Sequence, residues 1–109
     1  MNRQERRRLE ERARVIKAMA HATRLYLVEQ LAEGERCVCE LTDGVGADIS
    51  TVSRHLGVLK GAGIIESERR GQKVFYRLRT PCVLGFFACI ENVLSESEEV
   101  ATFCGCGEA

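Results

Sequence analysis

The sequence predicts a mainly helical α+β domain of five helices with one two-stranded β-hairpin before the last helix. Three observations predict it. Apolar residues recur at helical spacing over most of the chain, the spacing changes to strict alternation over residues 64–79, and glycine or proline punctuates nearly every segment boundary. A chain of 109 residues, 45% hydrophobic and 29% charged, suits one domain spanning 1–109, with 96–109 expected as a flexible, cysteine-containing tail.

Residues 2 to about 20 form the first helix, with Leu9, Ala13, Ile16 and Met19 or Ala20 on one face. Its start, RQERRRLEERAR, reads as a solvated charge run, yet the apolar stripe needs a partner: the last helix or a second protomer. The second helix covers 22–33, turns Leu25, Leu27 or Val28, Leu31 and Ala32 inward, and ends at Gly34. Residues 36–39 are expected as a connection or first turn, and 40–45 as a brief third helix closed by the GVGA turn.

Residues 48–63, DISTVSRHLGVLKGAG, form the fourth helix, with a marked beginning and end. Asp48 can cap the free amides of its first turn, and Gly63 supplies the left-handed residue that closes the last, with apolar Ile64 behind it. Val52, Leu56 and Leu59 face the core. The other face carries Ser50, Thr51, Arg54, Gly57 and Lys60, with no carboxylate until Glu66. Hydroxyls and guanidinium can meet base edges and phosphates, which a carboxylate would repel. The hairpin follows, turning at Arg70-Gly71-Gln72 with Arg69, Arg70 and Lys73 at its tip. Pro81 stops the second strand and opens a last helix over about 82–94, whose VLGFFACIENVL is apolar on nearly every side. Such a helix needs cover on more than one face, so a homodimer through the first and last helices is expected.

Two short helices joined by a tight turn, the second with a DNA-compatible face, make a helix-turn-helix, and the basic hairpin is a wing suited to the backbone or minor groove. The net charge of zero hides a split. Residues 1–79 hold all 16 Lys and Arg against 11 Asp and Glu, while 80–109 hold none against 5, giving a body of +5 and a tail of −5. That permits double-stranded DNA as partner for the body. No apolar run approaches the ~20 residues that span a bilayer and no leader segment opens the chain, so no membrane association is expected, the expected location is cytoplasmic, and the six cysteines are expected as thiols.

The run AMAHATRLYLVEQLAEGERCVCEL, continuing with STVSRHLGVLKGAGIIESERRGQKVFYRL, resembles the ArsR/SmtB family of metal-responsive repressors over about residues 15–79. Four motifs agree in order: H-A-T-R-L, C-V-C-E-L, S-x-V-S-R-H-L with L-x-x-A-G-I-I, and R-x-G-Q-x-V-F-Y-R-L. The resemblance implies a dimeric winged helix-turn-helix repressor, seated on an operator upstream of resistance genes and released by an inducer. It assigns Ser50, Thr51, Ser53, Arg54 and His55 to the recognition helix, and Arg69, Arg70 and Lys73 to the wing. His55 also falls near the Val52/Leu56 side, where a buried imidazole is an equal alternative.

Cys37-Val38-Cys39 places two thiols at the entrance of the first reading helix, where they can grip one soft ion and where the helix N-terminus would lower their pKa. In the family this element implies sensing of As(III) or Sb(III), or of Cd(II) and Pb(II). The arsenite sensors commonly place a third cysteine where this chain has Thr42. Cys104 or Cys106, of the same or the other protomer, is expected to supply the third thiolate, and all four together would suit Cd(II), Pb(II) or Zn(II). Cys82 and Cys89 share a helical face as core or dimer-interface residues, and His21, at the start of the second helix, is expected as a structural or capping residue. A persulfide- or redox-sensing repressor of the same fold is the nearest rival. A thiol oxidoreductase is disfavoured, because the sequence has no C-x-x-C and no His or Asp placed beside a cysteine as activating base.

Overall fold

The computed structural model describes residues 1–95. Five helices, α1 (Arg3–Met19), α2 (Ala22–Ala32), α3 (Val38–Val45), α4 (Ile49–Gly61) and α5 (Val83–Ser95), surround three strands, β1 (Arg36–Cys37), β2 (Ile65–Arg70) and β3 (Lys73–Leu78). The sheet is antiparallel in the order β1-β3-β2.

The helix boundaries follow local chemistry. Asn2 starts α1 with a capping box: the Glu5 amide donates to Asn2 Oδ1 at 2.8 Å, and the Asn2 amide donates to Glu5 Oε1 at 3.0 Å. His21 caps α2 as expected, its Nδ1 accepting from the Thr23 amide at 3.1 Å. At the end of α4, Gly63 sits at φ +85°; its amide donates to Lys60 O and the Ile64 amide donates to Leu59 O, the paired bonds of a Schellman cap. Gly71, at φ +65°, makes the tight turn that pairs Arg70 with Lys73.

The core gathers Leu27, Val28 and Leu31 of α2, Leu41 of α3, Val52, Leu56 and Leu59 of α4, Ile64 and Ile65 before and in β2, and Ala18 and Met19 from the end of α1. Leu25 and Ala32, expected to face inward, are exposed instead. α2 buries the narrower stripe formed by Leu27, Val28 and Leu31, because its opposite sides meet solvent. α5 starts after Pro81 and Cys82 through i→i−3 turns from Val83 and Leu84, and it reaches the core through Val83 and Phe87.

One addition to the expected fold bears on function. Residues 36–37, read as a connection, form a third strand on the outer edge of the wing sheet, with Arg36 opposite Tyr76 and Cys37 opposite Phe75. The third helix accordingly begins at Val38 rather than Glu40.

Candidate functional site

Helix α4 buries Val52, Leu56 and Leu59 completely, which turns Ser50, Ser53, Arg54, Gly57 and Lys60 to the surface with Thr51 half-buried. Asp48 occupies the cap position but, against expectation, its side chain makes no cap hydrogen bond to the free amides of the first turn; the Thr51 hydroxyl beside it is the main cause that holds its carboxyl below the usual range. The outward face of the helix is therefore one of hydroxyls and cations, able to donate to phosphates and bases.

His55 turns inward. The Arg24 guanidinium, which has no acceptor, donates through Nη1 to His55 Nδ1 at 3.1 Å, and Arg24 Nε donates to Ala18 O at 2.6 Å. The His55 ring lies against His21, with centroids 4.4 Å apart. Burial, then the charges of His21, Arg24 and Arg54, push its pKa down. Of the two roles left open by the sequence, the geometry supports the structural one: a neutral imidazole that ties α4 to α2.

The wing cations divide. Arg69 and Lys73 are exposed at the tip. Arg70 folds back over the Phe75 ring, 4.6 Å from its centroid, and gives Glu35 a two-pronged contact, Nη1 to Oε1 and Nη2 to Oε2, both at 2.8 Å. Glu68 accepts from Arg70 at 3.1 Å, while Arg77 donates to Glu66 at 2.8 Å, Glu68 at 3.2 Å and Glu35 at 3.3 Å. Arg70 is the main cause of a lowered pKa at Glu35, and with Arg77 it lowers that of Glu68.

The two thiols face one another across the β1–α3 junction, with Sγ atoms 3.0 Å apart. Cys37 is buried and caps α3, its amide donating to Glu40 Oε1 at 3.0 Å; Cys39 is exposed in the first turn. The helix N-terminus was expected to depress the thiol pKa, but for Cys39 the direction is reversed. The hydrogen bond with Cys37, burial and the Cys37 charge all raise it, opposed by a backbone hydrogen bond and by Lys73 across the sheet. Thr42, at the position of the missing third cysteine, spends its hydroxyl on Val38 O at 2.7 Å. Among the described residues no group of three or more His, Cys, Asp or Glu side chains is placed to hold a metal ion, and Cys104 and Cys106 lie outside the described residues. Cys82 is exposed and Cys89 half-buried, so neither belongs to the core of the single chain.

Sequence reasoning missed Arg24, Glu35 and Arg77. Arg24 lies within the H-A-T-R-L motif, which could have flagged it; Glu35 and Arg77 belong to pairings 35 and 42 residues long that no local pattern encodes.

A helix with an outward face of hydroxyls and cations, followed by a hairpin with basic residues at its tip, defines a winged helix-turn-helix architecture. Comparison with known proteins places it more closely. The model of the arsR family of bacterial regulatory proteins matches residues 21–67. The arsenic resistance transcriptional regulator ArsR1 of Pseudomonas putida is 38% identical over 86 residues, covering 78% of this chain and 67% of its own. The transcriptional repressor SmtB of Mycobacterium tuberculosis is 44% identical over 64 residues, covering 59% of this chain. The homodimeric winged helix-turn-helix DNA-binding domain of Mb0332 from Mycobacterium bovis, a possible ArsR-family regulator, superposes with a TM-score of 0.76 at 33% identity, covering 91% of this chain and 92% of that one. The chain belongs to the arsR family. It spans 47% of the length of SmtB and 39% of another mycobacterial regulator that it matches.

Proposed function

We propose that the protein is a homodimeric repressor that binds double-stranded operator DNA of a metal(loid)-resistance operon and leaves it when As(III) or Sb(III) engages its cysteine thiolates. The observation that carries this is the Cys37–Cys39 pair, 3.0 Å apart at a junction that touches both DNA-reading parts. Cys37 lies on β1, hydrogen-bonded to wing strand β3, and Cys39 lies on α3, which packs on α4. Ser50, Thr51, Ser53 and Arg54 read the operator, and Arg69 and Lys73 steady the wing on phosphate. Exposed apolar residues on α1 and α5 join the protomers, an assembly supported by the homodimeric relative.

A pyramidal As(III) centre takes a third thiolate, which falls to Cys104 or Cys106; recruiting both would favour Cd(II), Pb(II) or Zn(II). A repressor of this kind works in the cytoplasm, beside its operator. Among the described residues no helix is long and apolar enough to cross a membrane. The test is fluorescence anisotropy of the reduced protein on a duplex from its own upstream region, titrated separately with arsenite and Cd(II). Release by arsenite at about one ion per protomer supports the three-thiolate site. Release by Cd(II) alone would make it a four-thiolate site, and release by neither would move the proposal to persulfide or redox sensing. Only ~1.4 kcal/mol of differential binding is needed for a tenfold release.

A further inference from the structure

The wing of this protein carries three cations at its tip, but only two of them are free to face outward. Arg70 is the exception, and its surroundings assign it a different task. Both terminal nitrogens are directed at the two oxygens of Glu35 at 2.8 Å, the geometry in which guanidinium and carboxylate fit best. Its flat face covers the Phe75 ring, and Glu68 takes a further bond. Arg77 closes the lower side of the same cluster, bridging Glu66, Glu68 and Glu35. Three carboxylates thus meet two guanidiniums in one connected network. A cation so compensated adds little to the field that attracts phosphate, and turning it toward DNA would leave Glu35 facing the same backbone.

Glu35 is also placed to matter. It immediately precedes β1, two residues ahead of Cys37, and β1 is only two residues long. A strand that short makes few ladder bonds, so a charge-assisted tie beside it is a large share of what holds it to the sheet.

We propose that Glu35 and Arg70 form a latch that fixes the wing against the strand carrying Cys37, with Arg70 a positioning residue for the wing rather than a phosphate contact. The proposal rests on the DNA-reading function above, but the latch itself is a property of the free protein. A residue that touches phosphate releases counterions when it binds, and a latch residue does not; the two roles separate in the salt dependence.

The experiment compares wild type with Arg70→Gln, Glu35→Gln and, as a reference, Lys73→Gln. Amide hydrogen exchange of the free protein is read at the wing turn, and duplex affinity is read against salt. Each substituted side chain is at least 30% exposed or lies at the exposed hairpin tip, so the fold should survive. For the latch, Arg70→Gln and Glu35→Gln both accelerate exchange at residues 70–74, the double variant adds little to either, and duplex affinity drops by about two- to fivefold, as expected for a partly exposed ion pair. The slope of log affinity against log salt stays at the wild-type value for both, while Lys73→Gln, which removes one charge from the phosphate backbone, flattens it by about 0.9. Unchanged exchange in Glu35→Gln overturns the latch, and so does a flattened slope in Arg70→Gln. Absence of specific duplex binding by wild type would instead overturn the DNA-reading function, leaving the exchange result to decide the latch.

Discussion

The middle of the chain and its two flanks treat their apolar residues in opposite ways. From α2 to β2 most large apolar side chains are enclosed within the chain: Leu27, Val28, Val52, Leu56 and Leu59 have no solvent exposure at all, and only Leu25, Ile49 and Val58 stand open. On α1 and α5 the equivalent residues stand open, with Leu9 and Ile16 near half exposure and Val93 and Leu94 near two thirds, and no residue of α5 is buried. Helical periodicity is present in both regions, so periodicity alone does not distinguish a self-sufficient core from an exposed apolar surface. What distinguishes them is how many elements converge. α4 packs against α1, α2, α3 and β2, whereas α5 reaches the core through Val83 and Phe87 near its start.

The difference is broken most severely in the middle. Leu56→Ala removes a fully enclosed side chain from α4, and the cavity should cost about 2–5 kcal/mol, which thermal melting would register as a drop of roughly 10 °C or more. A loss below about 1 kcal/mol would mean that the core collapses around the gap and is less closely packed than its burial implies. On the flank, Val93→Asp with Leu94→Asp should leave the melting of the single protomer nearly alone and act on assembly. Sedimentation should report a monomer, and operator affinity should fall at least about tenfold because two recognition helices no longer bind as a unit. A double variant that remains dimeric would show that α5 does not carry the interface.

The same contrast governs what could be read from sequence. Both ends of α4 were legible because they are written locally: Asp48 stands at its N-cap position, Gly63 and Ile64 close it, and Gly71 likewise marks the wing turn, whereas the start of α3 was placed two residues late. Strand β1 was not legible, since two residues cannot display an alternation and its pairing with β3 is fixed by partners 38 and 40 residues away. For the same reason the thiol pair was recognised as two neighbours, but its attachment to the wing was not. The pKa direction at Cys39 escaped the sequence because a helix terminus is visible there, whereas the approach of the second thiol to 3.0 Å, which dominates, is set by the fold. Arg70 was grouped with Arg69 and Lys73 by position alone, and only the fold reveals the carboxylate that claims it.

The smallest effect tests the middle region through pH. His55 has a folded-state pKa below its ordinary value of ~6.5, because burial and the neighbouring His21, Arg24 and Arg54 disfavour the imidazolium. The unfolded chain then binds this proton more readily than the folded one, so stability is complete above about pH 6.5 and falls as pH drops toward the folded-state pKa. Protonation would also turn Nδ1 into a donor facing the Arg24 guanidinium, removing the bond that ties α4 to α2. The lowered carboxylates Glu35, Glu40 and Glu68 act in a different window: their contribution is present above about pH 4.3 and is lost only below it. Urea unfolding between about pH 7.5 and about pH 5.5 therefore separates histidine from these carboxylates, and a His55 substitution distinguishes His55 from His21. Gln at position 55 can still accept from Arg24 but cannot titrate, so His55→Gln should unfold at a midpoint that varies less with pH than that of wild type. The Val93/Leu94 double variant should keep the wild-type pH dependence, since its changes lie on the flank. If His55→Gln and wild type lose stability in parallel, the imidazole is not the group that senses pH, and the tie between α4 and α2 must rest on packing rather than on the Arg24 bond.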